Sequence, residues 1–369
     1  MRPASRPIGL AVIGAGRIGT HRARLAAMHP GVEYLAVADI DAERAAALAS
    51  TTDADIHTTD WQAAISDARV NAVVVSTPEH AHHAATVAAL RQGKSVLVEK
   101  PLALTLDEAA RVTRLSASLA VELRVGYSQR FKREHFLARH ELAKGSLGQV
   151  SAIMARVYNT RSTALAILER SPTTTPVVDI LTYLIDLVSW FFDAAPVEVT
   201  AKASGTWFKR QGHEAVDDAT WCMLRFPSGA LAVLGVSYVL PAEHPTQGQG
   251  IRVELVGDEG SLVLDEDHHG DLLLTERGYD HAYVPGHRQQ AVYLGTRSPG
   301  DWALGSMFGP LADETRSWLD HLSTGVADHL ATAEEAFRTL AVTLAIEEAV
   351  RTGTPQVPAD LDPVGPSAG

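Results

Sequence analysis

The segment Ile8–Asp41 constrains the fold of this chain more than any other part of it. An apolar run, Ile8–Ile13, ends in the glycine turn Gly14–Gly19, which reads GAGRIG. A helix-like segment follows, and then a second apolar run, Tyr34–Ala38, which ends at Asp39. The order strand, glycine turn, helix, strand, acid is typical of a dinucleotide-binding α/β unit.

The three glycines of this turn have separate physical roles. Gly14 permits the tight turn, Gly16 lets the backbone approach a pyrophosphate, and Gly19 lets the helix pack closely on the strand. Unpaired N–H groups and the positive end of the helix dipole converge there and favour phosphate groups. We therefore expect a bound dinucleotide, and the alternative is a glycine turn that holds no ligand. The expected contacts are Gly14, Gly16, Arg17, Ile18 and Gly19.

The acid after the second strand indicates which dinucleotide binds. Asp39 lies 20 positions after Gly19, where a carboxylate accepts hydrogen bonds from ribose hydroxyls and repels a 2′-phosphate. Ile40 and Asp41 follow it, so no adjacent basic residue holds that phosphate, although Arg44 lies one helical turn further on. The sequence favours NAD over NADP.

Composition argues against several functional classes. The formal net charge is −12 and there is no long basic run, which argues against nucleic acid and against an anionic membrane surface. The one cysteine, Cys222, allows neither an internal disulfide nor a cysteine metal cage. The segment MRPASRP lacks the apolar core of an export signal, and no apolar run approaches the ~20 residues that span a bilayer. We expect a cytoplasmic protein.

The predicted elements divide the 369 residues into two domains. Strands and helices alternate up to about residue 127, which predicts a doubly wound parallel sheet. From about residue 150, strands joined by turns such as Phe226–Ala230 predict a largely antiparallel sheet. We expect a Rossmann domain over 1–128 and a C-terminal α+β substrate and oligomerisation domain over 129–369. Helices within 310–351 are candidates for packing on the first domain.

Two polar motifs follow strands of the first domain. Ser76-Thr77-Pro78 leads to His82, and Glu99-Lys100-Pro101 follows a short apolar strand. Ligands of open parallel sheets bind beyond the carboxyl ends of the strands, so both motifs face the cofactor crevice. A lysine held there beside a proline can act as general acid or base, whereas an isolated lysine more often forms a surface ion pair. The expected cofactor contacts here are Ser76, Thr77, Pro78, His82, Glu99 and Lys100.

Five motifs together resemble the Gfo/Idh/MocA family, which is named after glucose–fructose oxidoreductase, inositol dehydrogenase and a rhizopine catabolism protein. They are Gly14–Gly19, Thr77-Pro78, Glu99-Lys100-Pro101, Gly126–Phe131 and Asp179…Asp186. The resemblance covers nearly the whole chain. It implies an N-terminal Rossmann domain, a C-terminal domain with an open antiparallel sheet, and NAD(P)-dependent hydride transfer at a secondary alcohol or ketone, usually of a sugar or cyclitol.

The resemblance also implies catalytic residues. Lys100 matches the family's catalytic lysine, and Asp179 matches the aspartate of its Asp-x-x-x-His motif. Tyr183 stands where that motif has histidine, which weakens a direct transfer of the inositol dehydrogenase mechanism. Some sugar ketoreductases of the family have a tyrosine acid at this place. We expect Lys100 and Tyr183 to share the proton transfer, with Asp179 orienting them; the alternative is that Tyr183 only packs.

The segment around Asp179 predicts a helix with a polar stripe. Asp179, Tyr183 and Asp186 are spaced i, i+4, i+7, so they share one face of a helix that is otherwise apolar. Such a stripe costs stability unless it is satisfied, and polyol hydroxyls would satisfy it. The alternatives are a helix cap at Asp179 and a buried hydrogen bond at Asp186.

Other candidates for substrate contacts lie near strand ends. In the family, polar residues after the first strand of the second domain often line the substrate site. Arg130 and Arg161 would suit an anionic or strongly polar substrate, although Arg130 has a structural alternative. The expected contacts are Tyr127, Arg130, Tyr158, Asn159, Arg161 and Asp186.

No metal site is expected. His80, His82 and His83 cluster at a helix start, but their spacing does not put all three rings on one side, and the family uses no metal. Strands such as Ala230–Tyr238 are apolar on more than one side, which together with the resemblance predicts a homodimer or homotetramer.

The leading functional hypothesis is an NAD-dependent dehydrogenase or reductase of a sugar, cyclitol or related polyol. One alternative is a dehydrogenase of a cyclic dihydrodiol or hemiacetal. Another is a dinucleotide-binding regulator without catalysis, which the presence of Lys100 and Asp179 disfavours.

Overall fold

Two compact units make up the chain. The computed structural model describes residues 6–172, 174–214, 216–245, 249–266, 272–280, 284, 286–293, 301–303 and 306–361. The first unit contains the described residues up to Phe131 and those from 306 to Leu340. The second contains those from Lys132 to 303 and from Ala341 to Asp360.

A seven-stranded sheet forms the first unit, in the order β3-β2-β1-β4-β5-β6-β17. β1 to β6 run parallel to their neighbours, and β17 runs antiparallel to β6. β1 and β4 are buried along their whole length, as parallel strands covered on both faces should be. The strand order reverses between β1 and β4, which is where doubly wound sheets bind ligands. The strands are β1 Ile8–Ile13, β2 Val32–Ala38, β3 Ile56–Thr58, β4 Ala72–Val75, β5 Ser95–Glu99, β6 Leu123–Gly126 and β17 Ala331–Thr332.

The helices of this unit begin where the sequence supplies caps. Asp41 accepts hydrogen bonds from two backbone N–H groups at the start of α2, and Thr105 accepts one from Glu108 at the start of α5. Two 3₁₀ turns span Glu79–Ala81 and Ser128–Phe131. The helices are α1 Arg17–Ala27, α2 Ala42–Thr52, α3 Trp61–Ser66, α4 His82–Arg91, α5 Leu106–Leu119, α10 Pro310–Thr324 and the first part of α11 Ala333–Thr352.

A six-stranded sheet forms the second unit, in the order β12-β11-β7-β10-β9-β8. Only β7 and β10 pair in parallel, so the predicted antiparallel character is confirmed. Its strands are β7 Val150–Thr160, β8 Glu198–Ser204, β9 Ala219–Arg225, β10 Leu231–Leu240, β11 Gln249–Gly257 and β12 Ser261–Asp265. Shorter ladders follow, and their strands are β13 Leu272–Asp280, β14 Arg288–Tyr293, β15 Asp301–Ala303 and β16 Ser306–Phe308.

One face of this second sheet carries the core, and the other does not. Alternate residues of β9 illustrate this: Cys222 and Leu224 are buried, whereas Trp221 and Met223 are exposed. The helices of the unit are α6 Arg133–Ala143, α7 Arg161–Arg170, α8 Thr182–Phe192, α9 Trp207–Arg210 and the remainder of α11. We call the uncovered side the open face, and its exposed apolar side chains are Met154, Trp221, Met223, Leu231, Val256 and Val263.

The predicted helix around Asp179 is wrong in its first turn. Residues Val177–Leu181 form a π-helical turn, and α8 begins only at Thr182. A π-turn spaces its hydrogen bonds i to i+5, so the predicted α-helical spacing from Asp179 to Asp186 does not hold. Such turns are frequent at functional sites. Among the described residues, none of the helices has the length and hydrophobicity needed to cross a bilayer.

Candidate active site

The glycine turn between β1 and α1 has the geometry of a dinucleotide cradle. Gly14 has φ +102°, and a Cβ there would lie 2.6 Å from the carbonyl oxygen of Ser76. A Cβ on Gly19 would lie 1.8 Å from the carbonyl oxygen of Gly14. A Cβ on Gly16 would meet nothing within 4 Å. The first and third glycines are therefore required by the fold, and the second borders open space that a ligand can enter.

Two hydroxyls beside this turn are available to a ligand. Ser76 and Thr77 follow β4, and their hydroxyl oxygens are buried without a hydrogen-bond partner among the described residues. Pro78 comes next and begins the 3₁₀ turn Glu79–Ala81. Buried hydroxyls are normally satisfied, so this pair favours a polar ligand. The residues present fit NAD, and bound NAD would accept or supply a hydride here.

Asp39 forms a fixed acidic end to β2. One carboxylate oxygen accepts from Ala15 N at 2.7 Å, and the other accepts from Asp41 N at 2.9 Å. A carboxylate has about four acceptor positions, so two remain for ribose hydroxyls. Arg44 Nη2 lies 3.7 Å from Asp39 Oδ1 and its Nε bonds Asp41 at 3.0 Å. Arg44 thus lies beside the acidic end of β2, and whether it reaches a 2′-phosphate stays a prediction.

Lys100 follows β5 directly and is half-buried. Its neighbour Glu99 is held by Arg22 of α1, whose Nε lies 2.5 Å from Glu99 Oε1. Arg22 Nη2 also lies 2.6 Å from Glu314 Oε2 on α10, and Arg22 is 0% exposed. Burial alone would lower the pKa of Arg22, but the two carboxylates outweigh it and hold that pKa above its usual value. Arg22 is thus a buried, permanently charged group that fixes Glu99, the residue before Lys100.

Sequence reasoning missed Arg22, although a signal was present. On α1, Gly19, Ala23 and Ala26 are buried, and Arg22 lies between them at an inward position. A charged residue on the apolar side of a helix requires a buried partner. That requirement predicts an internal acid, and here two acids meet it.

The segment after β6 places two predicted substrate residues inside the first unit. Tyr127 is 1% exposed and Arg130 is 2% exposed. Arg130 Nη1 bonds Glu335 Oε2 at 3.1 Å. Burial would raise the pKa of Glu335, but Arg130 outweighs it and the pKa is lowered. These contacts support the structural alternative for Arg130, and its contact with substrate stays a prediction.

His82 connects two loops at the carboxyl ends of neighbouring strands. Its Nδ1 lies 2.9 Å from the carbonyl oxygen of Pro101, and its Nε2 lies 2.9 Å from that of Thr77. The ring is 1% exposed. Both nitrogens therefore lie within hydrogen-bond distance of backbone carbonyls, and the expected contact of His82 with the cofactor stays a prediction.

In the second unit, Asp179 is bound by a residue that the sequence analysis missed. Tyr238 of β10 donates its hydroxyl to Asp179 Oδ2 at 2.5 Å and is fully buried. Burial, reinforced by the charge of Asp179, raises the pKa of Tyr238 well above its usual value. The phenol is thus a permanent donor. The missed signal is a tyrosine at an inward position of an apolar strand, where its hydroxyl needs a partner.

The backbone of Asp179 is fixed from another side. Thr175 accepts the N–H of Val178 with its hydroxyl oxygen at 3.2 Å, and its carbonyl accepts Asp179 N at 2.9 Å. The same hydroxyl donates to Glu347 of α11 at 2.7 Å. Thr175, not Asp179, therefore caps the turn. Tyr183 is half-buried, whereas Asp186 is 0% exposed, which supports the alternative of a buried polar group there.

The three polar residues at the end of β7 are separated by the alternation of the strand. Tyr158 lies under the Arg156 guanidinium, 4.6 Å from ring centroid to Cζ, on the side of the open face. Asn159 is buried, and its amide oxygen accepts from Thr160 N at 3.2 Å. Arg161 begins α7 and lies 5.3 Å from the Trp207 ring. Tyr158 and Asp179 thus belong to opposite sides of the sheet, and a substrate contact at Tyr158 stays a prediction.

One group of possible metal ligands occurs among the described residues, and protein donors already occupy it. Glu122, His321 and Asp328 bring their ligand atoms within 4.8 Å of one another. Arg124 bonds Asp328 at 3.2 Å, and Trp318 Nε1 donates to Glu122 at 3.1 Å. A guanidinium cation in the cluster leaves little reason for a second cation.

Comparison with known proteins agrees with this geometry. Residues 8–127 match the Gfo/Idh/MocA oxidoreductase family model with an NAD-binding Rossmann fold, and residues 136–263 match the family's C-terminal domain. An inositol 2-dehydrogenase of Acidothermus cellulolyticus is 31% identical over 70% of this chain and 73% of that protein. A 1,5-anhydro-D-fructose reductase of Ensifer adhaerens is 30% identical over 79% of this chain and 92% of that protein.

A solved structure shares the fold across its whole length. The scyllo-inositol dehydrogenase of Lactobacillus casei, with NAD(H) and scyllo-inositol bound, superposes with a TM-score of 0.77 at 15% identity, covering 95% of this chain and 99% of that one. The cradle at Gly14–Gly19, the acid Asp39 and the two family models lead to one conclusion. The chain belongs to the Gfo/Idh/MocA family and is an NAD-dependent oxidoreductase acting on CH–OH groups.

Proposed function

We propose that this protein interconverts a secondary alcohol of a cyclitol or related polyol and its ketone, with NAD as the hydride carrier. The observation that carries the proposal is Lys100, which follows a β5 strand end anchored by Arg22 beside an intact NAD cradle. The similarity to an inositol 2-dehydrogenase and to a 1,5-anhydro-D-fructose reductase supports a cyclic polyol as substrate. A regulator without catalysis has no need of this lysine.

Each residue has a proposed role in the proton transfer that accompanies hydride transfer. Lys100 takes the hydroxyl proton during oxidation and returns it during reduction. Tyr183 is the second proton donor, in place of the family's histidine. Asp179, fixed by Tyr238, orients the substrate hydroxyl and the donor. Asn159 and Arg161 remain proposed substrate contacts, because Asn159 is a buried polar residue at the end of β7 and Arg161 follows the strand at the start of α7.

A substrate panel tests this function. The purified protein is incubated with NAD and myo-inositol, scyllo-inositol, glucose or a cyclic dihydrodiol, and with NADH and 1,5-anhydro-D-fructose, while nicotinamide absorbance is followed. We expect turnover with at least one cyclitol or sugar and preference for NAD over NADP. Turnover of the dihydrodiol alone would replace the polyol by the alternative substrate class. NAD binding without turnover of any compound would favour a regulator.

We further propose that two copies associate through the open face. Its exposed residues Met154, Trp221 and Met223 lie on β7 and β9, the two strands that flank β10, and a charged group in which Arg252 bonds Asp265 at 2.7 Å lies on the strands beyond β7. An apolar sheet face of this kind is an association surface. Light scattering should show a dimer or tetramer, and Met223→Glu should shift it toward monomer. A cytoplasmic location also stays a prediction.

A further inference from the structure

His82 occupies a position from which one side chain can hold two functional loops. β4 and β5 are neighbouring parallel strands, so the segments that follow them leave the sheet at the same edge. Thr77 lies in the first segment and Pro101 in the second. The imidazole of His82 lies within hydrogen-bond distance of both carbonyl oxygens, at 2.9 Å in each case.

We propose that His82 is a positioning residue that sets the cofactor loop at Thr77 and the lysine loop at Lys100-Pro101 relative to each other. The inference rests on the proposed function, because that function assigns the proton to Lys100 and needs NAD in the cradle beside the unpartnered Thr77 hydroxyl. A carbonyl oxygen only accepts, so both bonds form at once only when each ring nitrogen carries a hydrogen, as in the imidazolium, and a neutral ring donates to one of the two carbonyls at a time. At 1% exposure, water does not replace a lost bond easily, and the freed carbonyl would lack a partner.

The lysine is thereby held from both sides. Glu99, one residue before Lys100, is fixed by the buried Arg22 at 2.5 Å. Pro101, one residue after it, is fixed by His82. The second bond of the same ring joins it to the carbonyl oxygen of Thr77. The hydroxyl of Thr77 is buried without a partner among the described residues. A change in the ring therefore reaches both the cofactor hydroxyl and the lysine.

Two substitutions separate the two bonds. The amide nitrogen of asparagine reaches the position of Nδ1, and that of glutamine, one carbon longer, reaches the position of Nε2. His82→Asn therefore keeps the bond to Pro101 and loses the bond to Thr77. His82→Gln keeps the bond to Thr77 and loses the bond to Pro101.

The expected result is a crossed pattern. In His82→Asn, the dissociation constant for NAD, measured without substrate by protein fluorescence, rises about tenfold while kcat changes little, since a buried carbonyl loses its donor. In His82→Gln, kcat falls about tenfold while the NAD dissociation constant changes little. The neighbouring half-buried His83 provides the matched control, and His83→Asn and His83→Gln should change neither quantity.

Each other outcome contradicts the proposal. If both His82 variants change the same quantity, or neither changes any, His82 does not couple the loops. Failure of both to fold, under conditions in which the His83 variants fold, also overturns it, because each substitution removes only one bond. The variant Lys100→Ala distinguishes a failure of the positioning role of His82 from a failure of the proposed function. Full activity of Lys100→Ala refutes the role of the lysine, whereas an inactive Lys100→Ala beside uncrossed His82 variants refutes only the positioning role.

Discussion

Lys100 and Asp179, one in each unit, are supported by different chemistry. Beside Lys100, the support is ionic: the buried Arg22 joins Glu99 and Glu314 within 2.6 Å. At Asp179 it consists of hydrogen bonds with uncharged groups: the Tyr238 hydroxyl donates to the carboxylate, and Thr175 accepts backbone N–H groups with its hydroxyl and carbonyl oxygens. Removing one partner of a buried ion pair strands a charge, whereas removing a neutral donor leaves one hydrogen bond unmade. Substitutions that remove the support of Lys100 and those that remove the support of Asp179 should therefore have different effects.

At the second support, burial favours the neutral form of two acidic side chains. Burial raises the pKa of Tyr238 and, on α11, that of Glu347. Thr175 donates to Glu347 and nearby Asp217 adds to the raised pKa of that carboxyl. The turn that carries Asp179 thus depends on hydrogen-bond geometry more than on charge balance.

The largest expected effect is on catalysis at the ionic support. Lys100→Ala should lower kcat by about 10²–10⁴-fold with NAD affinity kept, which is the usual scale for the loss of a general acid or base. Steady-state kinetics and NAD binding measure the two quantities. Lys144→Ala, an exposed lysine paired with Glu141 at 3.2 Å, serves as the control and should retain full activity.

Tyr183 distinguishes shared from single proton transfer in the same assay. If Tyr183→Phe keeps full kcat, the tyrosine only packs and Lys100 transfers the proton alone. If Lys100→Ala is also fully active, the family-based mechanism does not apply to this protein.

The next effect is on stability. Arg22→Met leaves Glu99 and Glu314 without their buried cation and should lower the free energy of unfolding by about 3–5 kcal/mol. The double variant Arg22→Met/Glu314→Gln should recover part of that loss, since one stranded charge is removed. Urea unfolding measures both. The exposed pair Arg316–Asp313 at 3.3 Å gives the control, and Arg316→Met should cost about 1 kcal/mol or less. Equal losses in the two single variants would contradict the comparison.

A smaller effect is expected at the second support. Tyr238→Phe removes one donor to a carboxylate and should lower kcat about tenfold with KM little changed, because such bonds are worth about 1.5–3 kcal/mol. Tyr34→Phe removes a similar bond, from β2 of the first sheet to Asp67 at 2.8 Å, and should leave kcat unchanged. In an Asp179→Asn background, Tyr238→Phe should have no further effect on kcat. An undiminished effect there would show that Tyr238 does not act through Asp179.

The two regions also differ in how far the sequence predicts them. The glycine turn, the acid at Asp39 and the helix start at Thr105 follow from local rules, because backbone strain, capping and strand periodicity are written in neighbouring residues. The contacts that support Lys100 and Asp179 do not follow from local rules. Arg22 meets Glu314, and Asp179 meets Tyr238, across long separations in the chain. The π-turn at Val177–Leu181 has no local signal in an otherwise helical pattern, so the predicted α-helix was wrong in its first turn.

The smallest expected effect tests whether ionic support in the first unit depends on pH. His321 of α10 bonds Glu122 at 2.8 Å and lies 3.6 Å from Asp328, which also binds Arg124. Partial burial alone would lower the pKa of His321, but the Val326 carbonyl and the two acids outweigh it and raise the pKa. The contribution of the charged ring to stability is therefore fully present below its ordinary pKa of about 6.5 and is lost as pH rises through the raised value.

The free energy of unfolding of His321→Gln should fall below that of the unmodified protein by at most about 1 kcal/mol at pH near 6, and the gap should narrow above neutrality. Urea unfolding at several pH values measures the gap, with His140→Gln on the exposed side of α6 as control. A gap that widens with pH would show that the ring stabilises α10 in its neutral form, and the ionic account of this part of the first unit would then be wrong.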